Sequence, residues 1–108
     1  MTNGAKQPSN STEADGLVGE AWTKHYHGQN DDAIRQFEEI LQRWPEHIDA
    51  NYGLALSLKY AGQKEKSAAA FQKTKALIEA LRAATTEDAE HPRYQMLERM
   101  CDQNVAML

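Results

Sequence analysis

Apolar residues recur at intervals of three and four along most of this chain, the spacing that places side chains on one face of a helix. The clearest stripe consists of Ile34, Phe37, Ile40, Leu41 and Trp44. Pro45 ends this helix, because the residue before a proline avoids helical backbone geometry. The same periodicity predicts four more helices, over about residues 15–26, 48–60, 64–84 and 92–107. No stretch alternates in the manner of a strand, so the pattern predicts an all-α chain.

Two stretches repeat each other at a spacing of 34 residues. Residues 28–37 read GQNDDAIRQF, and residues 62–71 read GQKEKSAAAF. Gly28 suits the left-handed backbone that closes a helix, so we expect it, like Gly62, to turn the chain from one helix into the next. A repeat of this length is a helical hairpin too small to bury its own apolar face, so successive hairpins stack on each other.

The repeat defines one domain with a leading segment. We expect repeat one over about residues 15–47, repeat two over about 48–81 and a C-terminal helix over about 92–107. Residues 1–14 have almost nothing to bury and are expected to be a disordered tail. Between the last two helices lies a polar break at residues 85–91, after which Pro92 fits the first turn of a helix because its missing N–H is not needed there.

Several residues resemble the consensus of the tetratricopeptide repeat (TPR) family. In the second repeat these are Leu54, Ala55, Leu58, Ser67 and Phe71, and in the first they are Ala33, Phe37 and Pro45. The resemblance implies a right-handed α-α superhelix of about five helices. The chain departs from the consensus at Lys24, Ile40, Thr74 and Glu79.

Two repeats are fewer than the three or so that stacking usually requires. Something must therefore cover the open apolar ends. One interpretation is that the fifth helix caps the second repeat with its stripe of Leu97, Met100, Cys101, Val105 and Leu108. The alternative is a homodimer that buries those ends against a second copy.

In the TPR family, the first helices of successive repeats line a concave groove that takes a peptide or helix of a partner protein. The resemblance implies that this groove is lined here by Val18, Trp22, His25, Tyr26, Tyr52, Leu56, Lys59 and Tyr60. An alternative is that some of these rings pack within the helices or under a fifth helix folded across the groove. The set of Lys, Arg and Asn residues with which some family members grip a terminal carboxylate is absent, because Val18, Trp22 and Gly53 stand there.

Composition narrows the class of partner. The 108 residues carry a net charge of −4, and the charge of residues 51–84 is +4, from 6 basic and 2 acidic side chains. This gives little reason to expect nucleic acid, which requires a contiguous basic face. No apolar run approaches the length of a membrane span, and the first residues lack the apolar core of a signal peptide. A lone cysteine fits a reducing compartment, so we expect a cytoplasmic protein.

The residues suggest no catalytic or metal site, and we expect no enzyme activity and no cofactor. His25 and His27 are two apart and point to different faces of a helix, while His47 and His91 lie beside prolines in turns. Cys101 shares no motif with a histidine or second cysteine and is expected to be buried. The methionines 96, 100 and 107 are expected to be core and helix end, with a flexible partner surface as the alternative. The leading hypothesis is a non-enzymatic protein–protein interaction scaffold, with a self-associating structural subunit as its rival and an enzyme or an accessory subunit of one as the weakest.

Overall fold

Five helices make up almost all of residues 12–84 and 92–108, which are the residues that the computed structural model describes. In chain order they are α1 (Thr12–Tyr26), α2 (Asn30–Arg43), α3 (Ile48–Tyr60), α4 (Lys64–Ala84) and α5 (Pro92–Met107). The described residues contain no strand, so the predicted all-α class and the five helices are confirmed.

The first helix begins at Thr12, three residues before the predicted start at Asp15. Ala14 is fully buried, so it belongs to the packed face of α1 and not to a tail. Residues 1–11 of the predicted tail, and the predicted polar break at 85–91 with His91, lie outside the described residues.

The repeated Gly-Gln pair closes one helix and opens the next in both hairpins. Gly28 has a φ of 78° and Gly62 a φ of 82°. After α1, the N–H of Gln29 donates to the carbonyl of Lys24 at 2.9 Å and the N–H of Gly28 to that of His25 at 3.0 Å. The same two bonds recur 34 residues later at Gln63 and Gly62. This is the Schellman arrangement, in which a glycine takes the left-handed position.

The connection between the hairpins uses other residues. α2 ends at Arg43, and the N–H of Trp44 donates to the carbonyl of Ile40 at 2.9 Å. α3 is then capped by His47, whose Nδ1 accepts the N–H of Ala50 at 3.1 Å. This bond satisfies one of the amide groups that the first turn of a helix leaves without a partner.

Two buried clusters hold the helices together. The first joins α1, α2 and the start of α3 through Ala14, Val18, Ala21, Ala33, Phe37, Ile40, Trp44 and Ala50. The second joins α3, α4 and α5 through Tyr52, Ala55, Phe71, Ile78, Leu97 and Cys101. Small residues let the helices of the second hairpin approach closely. The buried hydroxyl of Ser67 on α4 therefore reaches the carbonyl of Ala55 on α3 and donates to it at 2.8 Å.

Helices α1 and α3 run parallel to each other. Near their first residues, His47 Nε2 lies 3.3 Å from Asp15 Oδ1. Near their last residues, His25 Nδ1 lies 3.4 Å from Ser57 Oγ. Contacts at both ends of the pair fix the two helices side by side.

Helix α5 packs mainly on α4 and reaches α3 through polar side-chain contacts at both ends. Near the first residues Arg93 pairs with Asp49, and near the last ones Lys59 Nζ donates to Asn104 Oδ1 at 2.7 Å. Against the antiparallel α4, Lys75 pairs with Asp102 and Arg82 with Glu98, each at 2.7 Å. Helix α5 therefore covers the open side of the second hairpin and adds a third parallel helix to α1 and α3.

Candidate partner-binding surface

Four rings from α1 and α3 form one aromatic cluster: Trp22, His25, Tyr26 and Tyr60. Trp22 stacks on Tyr26 with ring centroids 5.7 Å apart, and His25 lies 5.4 Å from Tyr60. The rings of Trp22 and His25 meet edge to face at 5.6 Å. These four side chains all lie within one turn of the ends of α1 and α3, so the parallel packing of the two helices brings them together.

One side of the aromatic cluster packs on the core, and the other side is exposed to solvent. Trp22 is half-buried and packs edge to face on the fully buried ring of Phe37, with centroids 5.7 Å apart. Tyr26 is 75% exposed and Tyr60 64% exposed. A fixed base with exposed rings is the kind of surface from which aromatic side chains supply binding energy.

Lys59 gives this surface a positive charge. Its Nζ donates to the neutral amide of Asn104 and lies 5.9 Å from the centre of the Tyr60 ring. Within the described part of the chain, Lys59 forms no ion pair. Its charge is therefore not neutralised by a neighbouring carboxylate.

Two of the predicted groove residues belong to the core. Val18 and Tyr52 are each only 5% exposed. Val18 packs in the first cluster, while the Tyr52 ring lies 5.7 Å from that of Phe71 and is covered by Leu97 and Cys101 of α5. Burial raises the pKa of the Tyr52 hydroxyl, and the neighbouring Cys101 raises it further. The structure assigns these two side chains to packing and not to a binding surface.

The other residues predicted to line the groove are half-buried, except for the exposed Tyr26 and Tyr60. Leu56, His25, Trp22 and Lys59 are half-buried, and Leu56 packs on the second cluster. Of the residues predicted to line the groove, the aromatic cluster and Lys59 remain at least partly accessible to solvent.

The sequence analysis gave a partner surface on the methionines of α5 only as an alternative to core and helix end. Met107 is 72% exposed, Met96 is 59% exposed and Met100 is half-buried, so the first two are surface residues. Tyr26, Tyr60 and Met107 are the last residues of α1, α3 and α5; we call these three side chains the helix-end row. The equivalence of α5 to α1 and α3 is hard to recognise from the sequence. Asn104 contacts Lys59 as Ser57 contacts His25, but Asn104 follows Ser57 by 47 residues and not by the repeat length of 34.

The titratable groups outside this surface have structural roles. His47 caps α3 and His27 is exposed. Burial, aided by the charge of Asp102, raises the pKa of the Cys101 thiol to about 11, which keeps it in the unreactive protonated form at neutral pH. Among the described residues no group of three or more His, Cys, Asp or Glu side chains is placed to hold a metal ion.

Two clefts lie outside the cluster, and neither resembles an active site. The first, about 350 Å³, lies between α1 and α2 and is lined by Leu17, Lys24, Asp32, Arg35, Gln36, Glu39, Ile40 and Arg43. In it Arg35 pairs with Asp32. The second, about 270 Å³, lies where α1, α3 and α5 begin, and its Asp15, His47, Asp49 and Arg93 are engaged with one another.

Comparison with known proteins matches residues 49–77 to the family model of the tetratricopeptide repeat. These residues span nearly all of α3 and the first two thirds of α4. No curated protein and no solved structure matches the chain. No described helix is both long enough and apolar enough to cross a membrane.

Proposed function

Because this chain is a TPR-like protein of five helices, we propose that it is a non-enzymatic interaction module that binds a peptide or helix of a partner protein. The observation that carries the proposal is the aromatic cluster, in which Tyr26 and Tyr60 are exposed on two helices fixed by a common core. TPR repeats typically serve as protein-binding surfaces.

The energetics of interfaces support this use. A few aromatic side chains near the centre of an interface often supply most of the binding free energy. Tyrosine adds contact area with little conformational entropy to lose, and its hydroxyl keeps an exposed ring compatible with water. The half-buried Trp22 holds Tyr26 by stacking, which lowers the cost of ordering that ring on binding.

The surroundings of the cluster favour binding over catalysis. No serine, threonine or cysteine belongs to the aromatic cluster, and the described thiol, Cys101, is buried on the face of α5 that packs on the second cluster. The His25 ring lies beside the hydroxyl of Ser57, but Ser57 is fully buried, and no carboxylate among the described residues pairs with His25 to orient it as a base. These features support recognition through shape and apolar contact.

The test compares proteins captured from a native lysate by the wild type and by the double variant Tyr26→Ser/Tyr60→Ser. Both tyrosines are exposed, so the variant should keep the wild-type helix content and melting temperature. A matched control, Gln42→Ser/Gln72→Ser, changes two exposed residues on α2 and α4. The proposal predicts a protein that the wild type and the control capture and the tyrosine variant does not. Equal capture by all three would contradict it.

Self-association is measured on the same samples. Light scattering over a concentration series shows whether the wild type forms dimers. If the wild type is a dimer, the tyrosine variant is a monomer and no other protein is captured, the chain is a homodimeric structural subunit instead.

A further inference from the structure

All the methionines among the described residues lie on one helix. Met96, Met100 and Met107 belong to α5, and their spacings of four and seven residues place them on one side of it. We call these three side chains the methionine face. This side borders the buried residues Leu97 and Cys101, since Met100 packs on the second cluster to which they belong. The methionine face therefore extends from solvent to the contact between α5 and the second hairpin.

The three thioethers differ in their access to solvent. Met107, the member of the helix-end row on α5, is 72% exposed and Met96 is 59% exposed, whereas Met100 is half-buried. A hydroperoxide oxidises a methionine by direct contact with its sulfur, so the exposed side chains react before the half-buried one.

The neighbouring thiol is protected from the same oxidants. Cys101 is 1% exposed, and burial raises the pKa of its thiol to about 11. The thiolate, and not the thiol, is the reactive form of cysteine. A thioether has no proton to lose, so methionine is reactive at neutral pH without any such shift. Among the described residues, an oxidant therefore reaches the methionine sulfurs first.

Oxidation makes the methionine side chain polar. The terminal oxygen of the hydroperoxide is transferred to the sulfur, the O–O bond breaks, and the proton of the transferred oxygen passes to the leaving oxygen, which departs as an alcohol or as water. The sulfur loses two electrons and the hydroperoxide gains them. At the exposed Met96 and Met107 the new sulfoxide oxygen is hydrated, so the fold loses little stability there.

At Met100 the same oxygen enters an apolar contact. The second cluster, on which Met100 packs, contains Tyr52 and Phe71. A polar group placed there without a hydrogen-bond partner destabilises the contact. The buried residues of α5 are Leu97 and Cys101, so the apolar attachment of this helix is small. Loss of the Met100 contact removes a substantial part of it.

Ion pairs keep α5 close to α4 when this contact is weakened. Lys75 pairs with Asp102 and Arg82 with Glu98, each at 2.7 Å. These pairs do not involve sulfur, so oxidation leaves them in place. The expected response is thus a loosening of α5 and not the unfolding of all five helices.

We propose that the methionine face is a site of oxidation by hydroperoxides, and that sulfoxide formation at Met100 loosens α5 from the second hairpin. Met96 and Met107 are oxidised first and leave the helix in place. This inference goes beyond the proposed function and does not depend on it.

The test follows oxidation and the docking of α5 on the same samples. The wild type is treated with hydrogen peroxide at neutral pH, and mass spectrometry of its peptides gives the sulfoxide fraction at each methionine over time. Hydrogen exchange of the amides in residues 92–107 reports the docking of α5. We expect Met96 and Met107 to be oxidised about threefold faster than Met100, or more. Exchange over α5 should rise in step with the Met100 fraction alone.

Met100→Leu is the decisive variant, because leucine conserves the volume and has no sulfur to oxidise. Its α5 should stay protected from exchange after peroxide treatment. The matched control, Met96→Leu/Met107→Leu, should loosen as the wild type does. Met100→Gln places a polar group at the site without an oxidant and should raise exchange over α5 in untreated protein. Circular dichroism checks that each variant folds, and Met100→Ile replaces Met100→Leu if that variant does not.

Reversal is measured on the oxidised wild type. Methionine sulfoxide reductases convert both sulfoxide epimers back to methionine, so treatment with them should return exchange over α5 to its starting rate. Exchange that stays high after full reduction would assign the loosening to another lesion and overturn the inference.

Three further results would overturn it. They are oxidation of Met100 as fast as that of Met107, an α5 that stays protected when Met100 is fully oxidised, and equal loosening in Met100→Leu. Simultaneous loss of protection in all five helices would also contradict it, because the domain would then unfold as a whole. The capture of whole proteins is carried out without peroxide and decides the proposed function separately.

Discussion

The ring of Phe37 lies directly on the α-carbon of Gly53, so closely that a Cβ on that residue would overlap the ring. Phe37 is fully buried between α1, α2 and α3, and Trp22 of the aromatic cluster packs edge to face on it. This contact joins the first hairpin to the second. Because Trp22 packs on Phe37, the same contact also fixes the position of Trp22 beneath the exposed rings of the aromatic cluster.

Replacing Gly53 with alanine tests that contact. Alanine normally stabilises a helix by roughly 0.5–1 kcal/mol relative to glycine, but an added atom in a filled core costs about 1–3 kcal/mol. We expect the free energy of unfolding to fall by about 1–2 kcal/mol. The matched control is Gly19→Ala, where nothing lies within 4 Å of the new Cβ, and it should stabilise the protein. Chemical denaturation measures both changes, and a gain of stability in Gly53→Ala would refute the packing described.

His47 is predicted to act as a helix cap and not as a ligand or catalyst. Its Nδ1 accepts the N–H of Ala50, so the ring proton of the neutral form is on Nε2 and points to Asp15. His47→Ala should cost about 0.5–2 kcal/mol, the usual range for loss of a cap. Asparagine is a good cap, so His47→Asn should recover part of this loss. If the two variants melt at the same temperature, the cap is not the source of the effect.

The buried thiol of Cys101 should make stability depend on alkaline pH. Its pKa is raised from 9.0 to about 11 in the folded chain, so between those values the unfolded state loses the proton first. The contribution of the thiol is therefore complete below pH 9 and is lost as the pH rises towards 11. Urea unfolding at several pH values should show a steeper loss for the wild type than for Cys101→Ala. Parallel curves for the two proteins would contradict the assignment.

Helix α5 is predicted to be required as a cover for the second hairpin. Deleting residues 92–108 would expose Tyr52, Phe71 and Ile78, which are at most 5% exposed in the intact domain. The truncated chain should aggregate or lose helix content, as measured by sedimentation and circular dichroism. A fully soluble, folded monomer after the deletion would show that α5 has no capping role.

The helices and turns were predictable because their signals are local. The Gly-Gln pair fixes two turns, and Pro45 ends α2 as its position requires. Burial at a given repeat position was less predictable, because it depends on what packs there. Lys24 and Leu58 occupy equivalent positions 34 residues apart, yet Leu58 is buried and Lys24 is partly exposed. Lys24 instead lines the outer cleft with Asp32, which explains the departure from the family consensus.

The candidate surface was predicted only in part for the same reason. The repeat register predicted Tyr26 and Tyr60 as groove residues, and both rings are exposed. It also placed Tyr52 there, but the burial of that ring depends on α5. The 21 residues of α4 against the 14 of α2 shift α5 out of the 34-residue register, so Met107 was not recognised as equivalent to the two tyrosines.

The most direct test of partner binding at the exposed tyrosines is site-specific photocrosslinking. A photoreactive phenylalanine analogue replaces Tyr26, Tyr60 or, as a control, the exposed Gln72 of α4, and each protein is irradiated in native lysate. We expect a discrete crosslinked partner at positions 26 and 60 and none at position 72. Crosslinking at position 72 alone, or at none of the three, would contradict the claim that the exposed tyrosines of α1 and α3 form the binding surface.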